Sequence, residues 1–179
     1  MELYIFGHDV KITMDTLIAF VALVVSAVSL GASIRFWRKS FRPIVTAMVK
    51  THSAGNEAIA YDLVLLNSGT IPAKNITLKA DDPSVSLAFG SDATQENKRR
   101  WLACFTKDTI IPVLHNGDRI SCSFGTTKAN DLGFWKYKAS ISIVIEYSGW
   151  FGVEYHQPQQ LSVVDSDSFT GFMWGKSNA

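Results

Sequence analysis

Any chemistry in this chain of 179 residues would have to come from histidine, cysteine and carboxylate side chains, and these are sparse and scattered. The histidines are His8, His52, His115 and His156, and none falls at the short spacings by which zinc sites collect their ligands. They read as surface or turn residues. Asp81-Asp82 and the pair Asp165 and Asp167 bring carboxylates together. A hard cation needs several oxygen ligands on one defined loop with a closing glutamate, and neither stretch supplies that pattern. Both read as loop ends. No glycine-rich phosphate loop, nucleophile elbow or HExxH run occurs, and Gly149-Trp150-Phe151-Gly152 reads as a hairpin connection. No catalytic residue, metal ligand or cofactor is assigned, and the chain is not expected to be an enzyme. A hydrolase whose site is assembled from distant residues is the third of three functional classes considered.

The two cysteines, Cys104 and Cys122, test the compartment. In a cytoplasmic domain they are expected to be reduced and to serve as small buried hydrophobes. A disulfide between them would require the opposite topology.

The elements that position these residues begin with a membrane anchor. From Thr16 to Ile34 the chain reads TLIAFVALVVSAVSLGASI without a charge. As a helix this run extends about 28 Å, close to the roughly 30 Å hydrocarbon core. A buried soluble helix would show a polar stripe, and a cleaved signal peptide would have a basic leader. Residues 1–15 instead carry Glu2, Asp9 and Asp15 against Lys11. The run therefore reads as a retained single-pass transmembrane helix. It divides the chain into a short extracytoplasmic N-terminus at 1–15, the span at 16–34, a basic juxtamembrane segment at 35–42, a β-sandwich at 43–165 and an aromatic-containing tail at 166–179. Arg35, Arg38, Lys39 and Arg42 follow the span at once. Basic residues stay on the cytoplasmic side, so the expected topology in the cell membrane is N-terminus outside and C-terminal domain cytoplasmic.

The charge balance narrows the partners. From Pro43 onward there are 12 basic and 13 acidic residues, a net charge of −1, so the soluble part has no excess with which to attract phosphates and nucleic acid is not expected. Lys98, Arg99 and Arg100 read as a solvated loop or helix end. The expected partners are the lipid bilayer and another protein. Within the span, Ala19, Ala22, Ser26, Ser29 and Ser33 recur at spacings of three and four and form a small-residue stripe. This fits both the ordinary composition of a membrane helix and a seam for self-association. Toward the C-terminus, Trp150, Phe151, Phe169, Phe172 and Trp174 are either plugs at the end of a sheet or contacts for a partner.

Past Pro43 the periodicity becomes that of strands. Ile59, Tyr61, Leu63 and Leu65 alternate with smaller or polar residues, as do Ile76 with Leu78, and Ile120 with Cys122 and Phe124. The longest run is Tyr137 to Tyr147, with Tyr137, Ala139, Ile141, Ile143, Ile145 and Tyr147 on one face. Further strands are expected over Pro43 to Thr51, Val85 to Phe89, Thr109 to Leu114 and around Tyr155, the last broken at Pro158. Trp101 to Phe105 fits either a helical turn or an edge strand. Asn67-Ser68-Gly69, His115-Asn116-Gly117-Asp118 and Ser148-Gly149 mark turns. About seven short strands separated by such turns predict two packed antiparallel sheets.

The stretch Leu65-Leu66-Asn67-Ser68-Gly69-Thr70-Ile71-Pro72-Ala73-Lys74-Asn75-Ile76, with Leu114 to Asp118 and Ile143 to Gly149, resembles the hairpins of CARDB-like and related immunoglobulin-like modules. The resemblance covers Pro43 to Val164. It implies an immunoglobulin-like sandwich used for adhesion, spacing or interaction, and it carries over no catalytic residue. The first functional class is accordingly a membrane-anchored accessory or regulatory module that binds protein through a cytoplasmic sandwich. The second is an exported envelope-binding or structural module.

Overall fold

The computed structural model describes residues 2–5, 8–11 and 14–165. Contacts divide the chain into two units, ending and beginning at Phe41 and Arg42. In the first, strands β1 (Glu2–Ile5) and β2 (His8–Lys11) pair antiparallel, a hairpin that the sequence did not announce. Helix α1 (Met14–Ser40) follows, 27 residues and about 40 Å long. None of its residues is buried, and it is apolar and long enough to cross a membrane. It continues beyond the expected boundary at Ile34, so Arg35, Arg38 and Lys39 are helical residues of its last turns.

The second unit contains two antiparallel sheets packed face to face. The first holds β3 (Val45–Ala54), β4 (Ala58–Asn67) and β7 (Arg119–Lys128), in the order β3-β4-β7. The second has the order β6-β5-β8-β9, made of β5 (Ala73–Ala80), β6 (Ile111–Leu114), β8 (Ser140–Ser148) and β9 (Glu154–Ser162). Alternation is the cause. Tyr61, Leu63 and Leu65 from β4 and Ile141, Ile143, Ile145 and Tyr147 from β8 all point into one core. Each such side chain contributes about 1.5–3 kcal/mol by leaving water.

The expected Tyr137-to-Tyr147 face begins later than the sequence suggests. Lys138 has φ of 63°, which breaks the extended chain, and Tyr137 is exposed. Pro158 does not break β9. It pairs opposite Val144 on an edge strand, where a missing N–H can face outward. In β5 the pairing with β8 slips between Lys74 and Thr77, because Asn75 takes a left-handed φ of 51°. The bulge turns Ala73 and Ile76, three residues apart, into the same core, and gives the Asn75-Ile76 pair its structural meaning.

Two helices replace expected strand and loop. Val85 to Ala88 is not a strand but the end of α2 (Asp82–Ala88), and only Phe89 is extended, bridging to Trp135. The Asp81 side chain accepts the Ser84 N–H at 3.0 Å and Pro83 occupies the first turn, a strong helix start. Val85 and Ala88 are buried at helical spacing while Leu87 is 76% exposed. The Asp81-Asp82 pair is thus a cap. Helix α3 (Gln95–Trp101) is capped by Thr94, and Lys98, Arg99 and Arg100 form its last turn. A three-residue 3-10 turn, Ala103–Phe105, continues from it, settling Trp101 to Phe105 as helical.

Three connections are pinned by one buried side chain. Asn67 is fully buried at the end of β4. Its Oδ1 accepts the N–H groups of Ile44 (3.2 Å) and Gly69 (3.0 Å), and its Nδ2 donates to the carbonyls of Ile71 (2.8 Å) and Leu114 (3.1 Å). Its backbone N–H and carbonyl bond Asp118 and Gly117, so the chain entering β3, the β4–β5 turn and the β6–β7 turn share one node. At Gly69 a Cβ would lie 2.4 Å from the Arg42 carbonyl oxygen and from the Ile44 nitrogen. Backbone atoms cannot yield there, and only glycine fits.

The core's end is closed by Phe89, Phe124, Phe134 and Trp135. The Trp135 indole stacks on Phe124 at 5.0 Å and on Phe89 at 5.7 Å, and meets Phe134 edge-on at 4.6 Å. Its Nε1–H donates to the Phe124 carbonyl. Gly125, with φ of 92°, forms the bulge in β7 that admits this plug, since a Cβ there would lie 2.9 Å from the Phe134 ring.

Candidate functional site

The two long sides of the sandwich differ. On one side β9 closes over β3, where the Gln159 side chain accepts the Ala47 N–H at 2.8 Å and the Thr51 hydroxyl donates to Asp165 at 2.7 Å. On the other side, between the edge strands β6 and β7, the sheets part around an apolar cavity of about 250 Å³. Leu63 and Leu65 form one wall, Ile76, Leu78 and Ile111 the other, and the 3-10 turn carrying Cys104 lies across it. Ile120, Ser121 and Cys122 of β7 complete the lining. Ile120 and Val113 on the flanking edges are each 43% exposed. This recess is slightly smaller than the clefts that hold drug-sized molecules, and its lining suits an apolar side chain.

The expectation that both cysteines are small buried hydrophobes is corrected at this site. Cys122 is exposed, and Cys104 is half-buried. The strand alternation that put Ile120, Cys122 and Phe124 on one face is real, but only Phe124 reaches the closed core. The other two border the recess. The Cys104 S–H donates to the Trp101 carbonyl at 3.9 Å. Its interaction with Cys122 and then burial push the Cys104 thiol up, while the same interaction draws Cys122 below its ordinary value against burial, which raises it.

The sequence-predicted residues lie elsewhere. Ala19, Ala22, Ser26, Ser29 and Ser33 are on α1, all exposed. Arg35, Arg38 and Lys39 end that helix, and Arg42 opens the second unit, its carbonyl accepting the Thr70 N–H at 3.2 Å. Trp150 is 44% exposed in a 3-10 turn, Trp150–Gly152, that also holds Phe151, so Trp150 is not an end plug. Phe169, Phe172 and Trp174 lie outside the described residues. Phe134 and Trp135, from a stretch with no periodicity, form an end plug that the sequence did not announce.

The ionisable groups that face one another lie at the surface of the sandwich. Among the described residues no three histidine, cysteine or carboxylate side chains are grouped to hold a metal. His52 Nδ1 lies 2.9 Å from Asp62, and Lys79 Nζ lies 2.6 Å from Glu146, which His156 approaches at 3.4 Å. The Lys79 hydrogen bond draws the Glu146 carboxyl below its ordinary value. A depressed carboxyl pKa stabilises the fold above the ordinary carboxylate range and ceases to do so as pH falls through the lowered value. At this solvated site the contribution is small. Lys79→Met is expected to return the Glu146 midpoint toward its ordinary value in a carboxyl-carbon NMR titration. An unmoved midpoint would assign the shift to another cause.

Together these features define a class: an antiparallel two-sheet sandwich carried behind an apolar helix of membrane-spanning length. The chain belongs to the family described as a domain of unknown function (DUF8453), whose model matches residues 10–169. The match runs through α1 and both sheets, so helix and sandwich are one family unit. No curated protein matches the chain.

Proposed function

We propose that this chain is a membrane-tethered accessory subunit whose sandwich holds a partner protein at the cytoplasmic face of the membrane. The apolar recess between β6 and β7 carries the reading, because the opposite side of the sandwich is closed by its own side chains while this one offers greasy surface. An extended partner segment placing an apolar side chain between the edge strands fits that shape. Trp150 and Phe151, with the tail aromatics, supply a second contact.

The strand order supports an immunoglobulin-like reading of the sandwich. With β3 taken as strand A, β3-β4-β7 facing β6-β5-β8-β9 corresponds to A-B-E facing C′-C-F-G. The basic end of α1 supports an outward N-terminus, and its small-residue stripe supports pairing with a second helix, of this chain or of the partner.

A photo-crosslinking phenylalanine analogue placed at Ile120 in membranes of intact cells is expected to give one discrete protein adduct, and the same analogue at exposed Lys50 on β3 none. Absence of an adduct at Ile120, or equal labelling at Lys50, would sink the recess as the contact. Protease added outside is expected to remove an N-terminal tag and spare a C-terminal one; the reverse would favour the exported module.

A further inference from the structure

The recess brings together the chain's two thiols from separate elements. Cys122 sits in β7, paired in register with Leu63, and its neighbours Ile120 and Ser121 share the lining. Cys104 sits in the 3-10 turn after α3, its sulfur 3.9 Å from the Trp101 carbonyl oxygen, and it lines the same cavity of about 250 Å³ as Cys122. One thiol is exposed and the other half-buried. β7 is held on its inner side by β4, whereas the 3-10 turn has no side-chain cap at its start and is held by the Thr106 and Thr109 hydroxyls, which donate to the Ala103 carbonyl at 2.8 Å.

We propose that Cys104 and Cys122 are a redox pair that a small-molecule disulfide of the glutathione type converts into an intramolecular disulfide, fastening the turn to β7 across the recess. The exposed Cys122 reacts first. Its thiolate attacks one sulfur of the oxidant, the oxidant's S–S bond breaks, and one thiol leaves with the proton that Cys122 gave up. The Cys104 sulfur then attacks the mixed disulfide, the second thiol leaves with the Cys104 proton, and the protein S–S bond forms. Two protein thiols are oxidised and one small disulfide is reduced to two thiols. Cys122, drawn below its ordinary value, is the better nucleophile, and Cys104 is the resolving thiol. In the reducing cytoplasm such a disulfide is transient and redox-sensing, unlike the lasting structural bond that would mark an exported domain.

The test uses the full chain in detergent, treated with glutathione disulfide, then alkylated under denaturing conditions and weighed by mass spectrometry. The expected product has lost two hydrogens, retains no glutathione and takes up no alkylating agent at either cysteine. Its melting temperature is expected to rise by about 5–10 °C and to fall back on reduction. Cys104→Ser is expected to stop at a glutathione adduct on Cys122. A wild-type product that keeps that adduct with Cys104 alkylated, or in which both cysteines alkylate, overturns the pair. A disulfide that forms without raising the melting temperature overturns the fastening of the turn.

Discussion

Asn67→Ala is expected to lower the melting temperature of the sandwich by about 10–20 °C, from a loss of about 3–5 kcal/mol. The substitution removes one side chain and leaves four backbone groups without their partner: the N–H of Ile44 and Gly69 and the carbonyls of Ile71 and Leu114. Those carbonyl contacts are buried, where an unmet polar group costs about 1–3 kcal/mol each, while water reaches the donors more easily. Asn67→Asp is the sharper probe, because it keeps the acceptor and replaces the donor with charge facing two carbonyl oxygens. It should be at least as damaging. Ser68→Ala next door removes only an exposed 3.4 Å bond and should change little. Thermal melts of the three variants by circular dichroism decide it; an Asn67→Ala protein melting within about 2 °C of the parent would mean that the node is dispensable.

The second large effect belongs to Trp135→Ala, expected to cost about 3–5 kcal/mol through a cavity that the surrounding rings cannot fill. Phe89, Phe124 and Phe134 each arrive from a different segment, so no one of them can shift inward without giving up its own packing. Trp135→Phe retains much of the ring and loses the N–H donated to the Phe124 carbonyl, so a smaller loss is expected. Trp150→Ala, at a half-exposed turn, serves as the control. Denaturant unfolding should rank the three as Ala at 135, Phe at 135, then Ala at 150. Equal midpoints for Trp135→Ala and Trp150→Ala would remove the plug from the core.

Legibility tracked how local the causes were. Helix α1 and strands β4 and β8 could be read because one period runs through each, and the burial of Ile141, Ile143 and Ile145 follows that period residue by residue. The turn chemistry of Asn67-Ser68-Gly69 was visible too, but not that Asn67 reaches the β6–β7 turn, which depends on a fold that brings Leu114 beside it. In α2 the residues Val85, Leu87 and Phe89 also alternate as a strand would, and the cap from Asp81 with Pro83 decided for helix. Helix α3 has no apolar stripe to betray it. The recess was the least legible feature, since its walls come from four strands and a turn and its two cysteines acquire their relation only in three dimensions.

Gln159 on the Ala47 N–H has a bearing on how many copies can join. Strand pairing is indefinite when a sheet is receptive at both margins, because each added molecule presents the same invitation to the next. Proteins confined to a membrane plane meet often and in similar orientations, which makes such growth a particular hazard for a tethered sandwich. With one N–H of β3 taken by a neighbouring side chain and Pro158 supplying none on β9, that margin resists strand addition. Strand addition confined to the other margin would end at a pair.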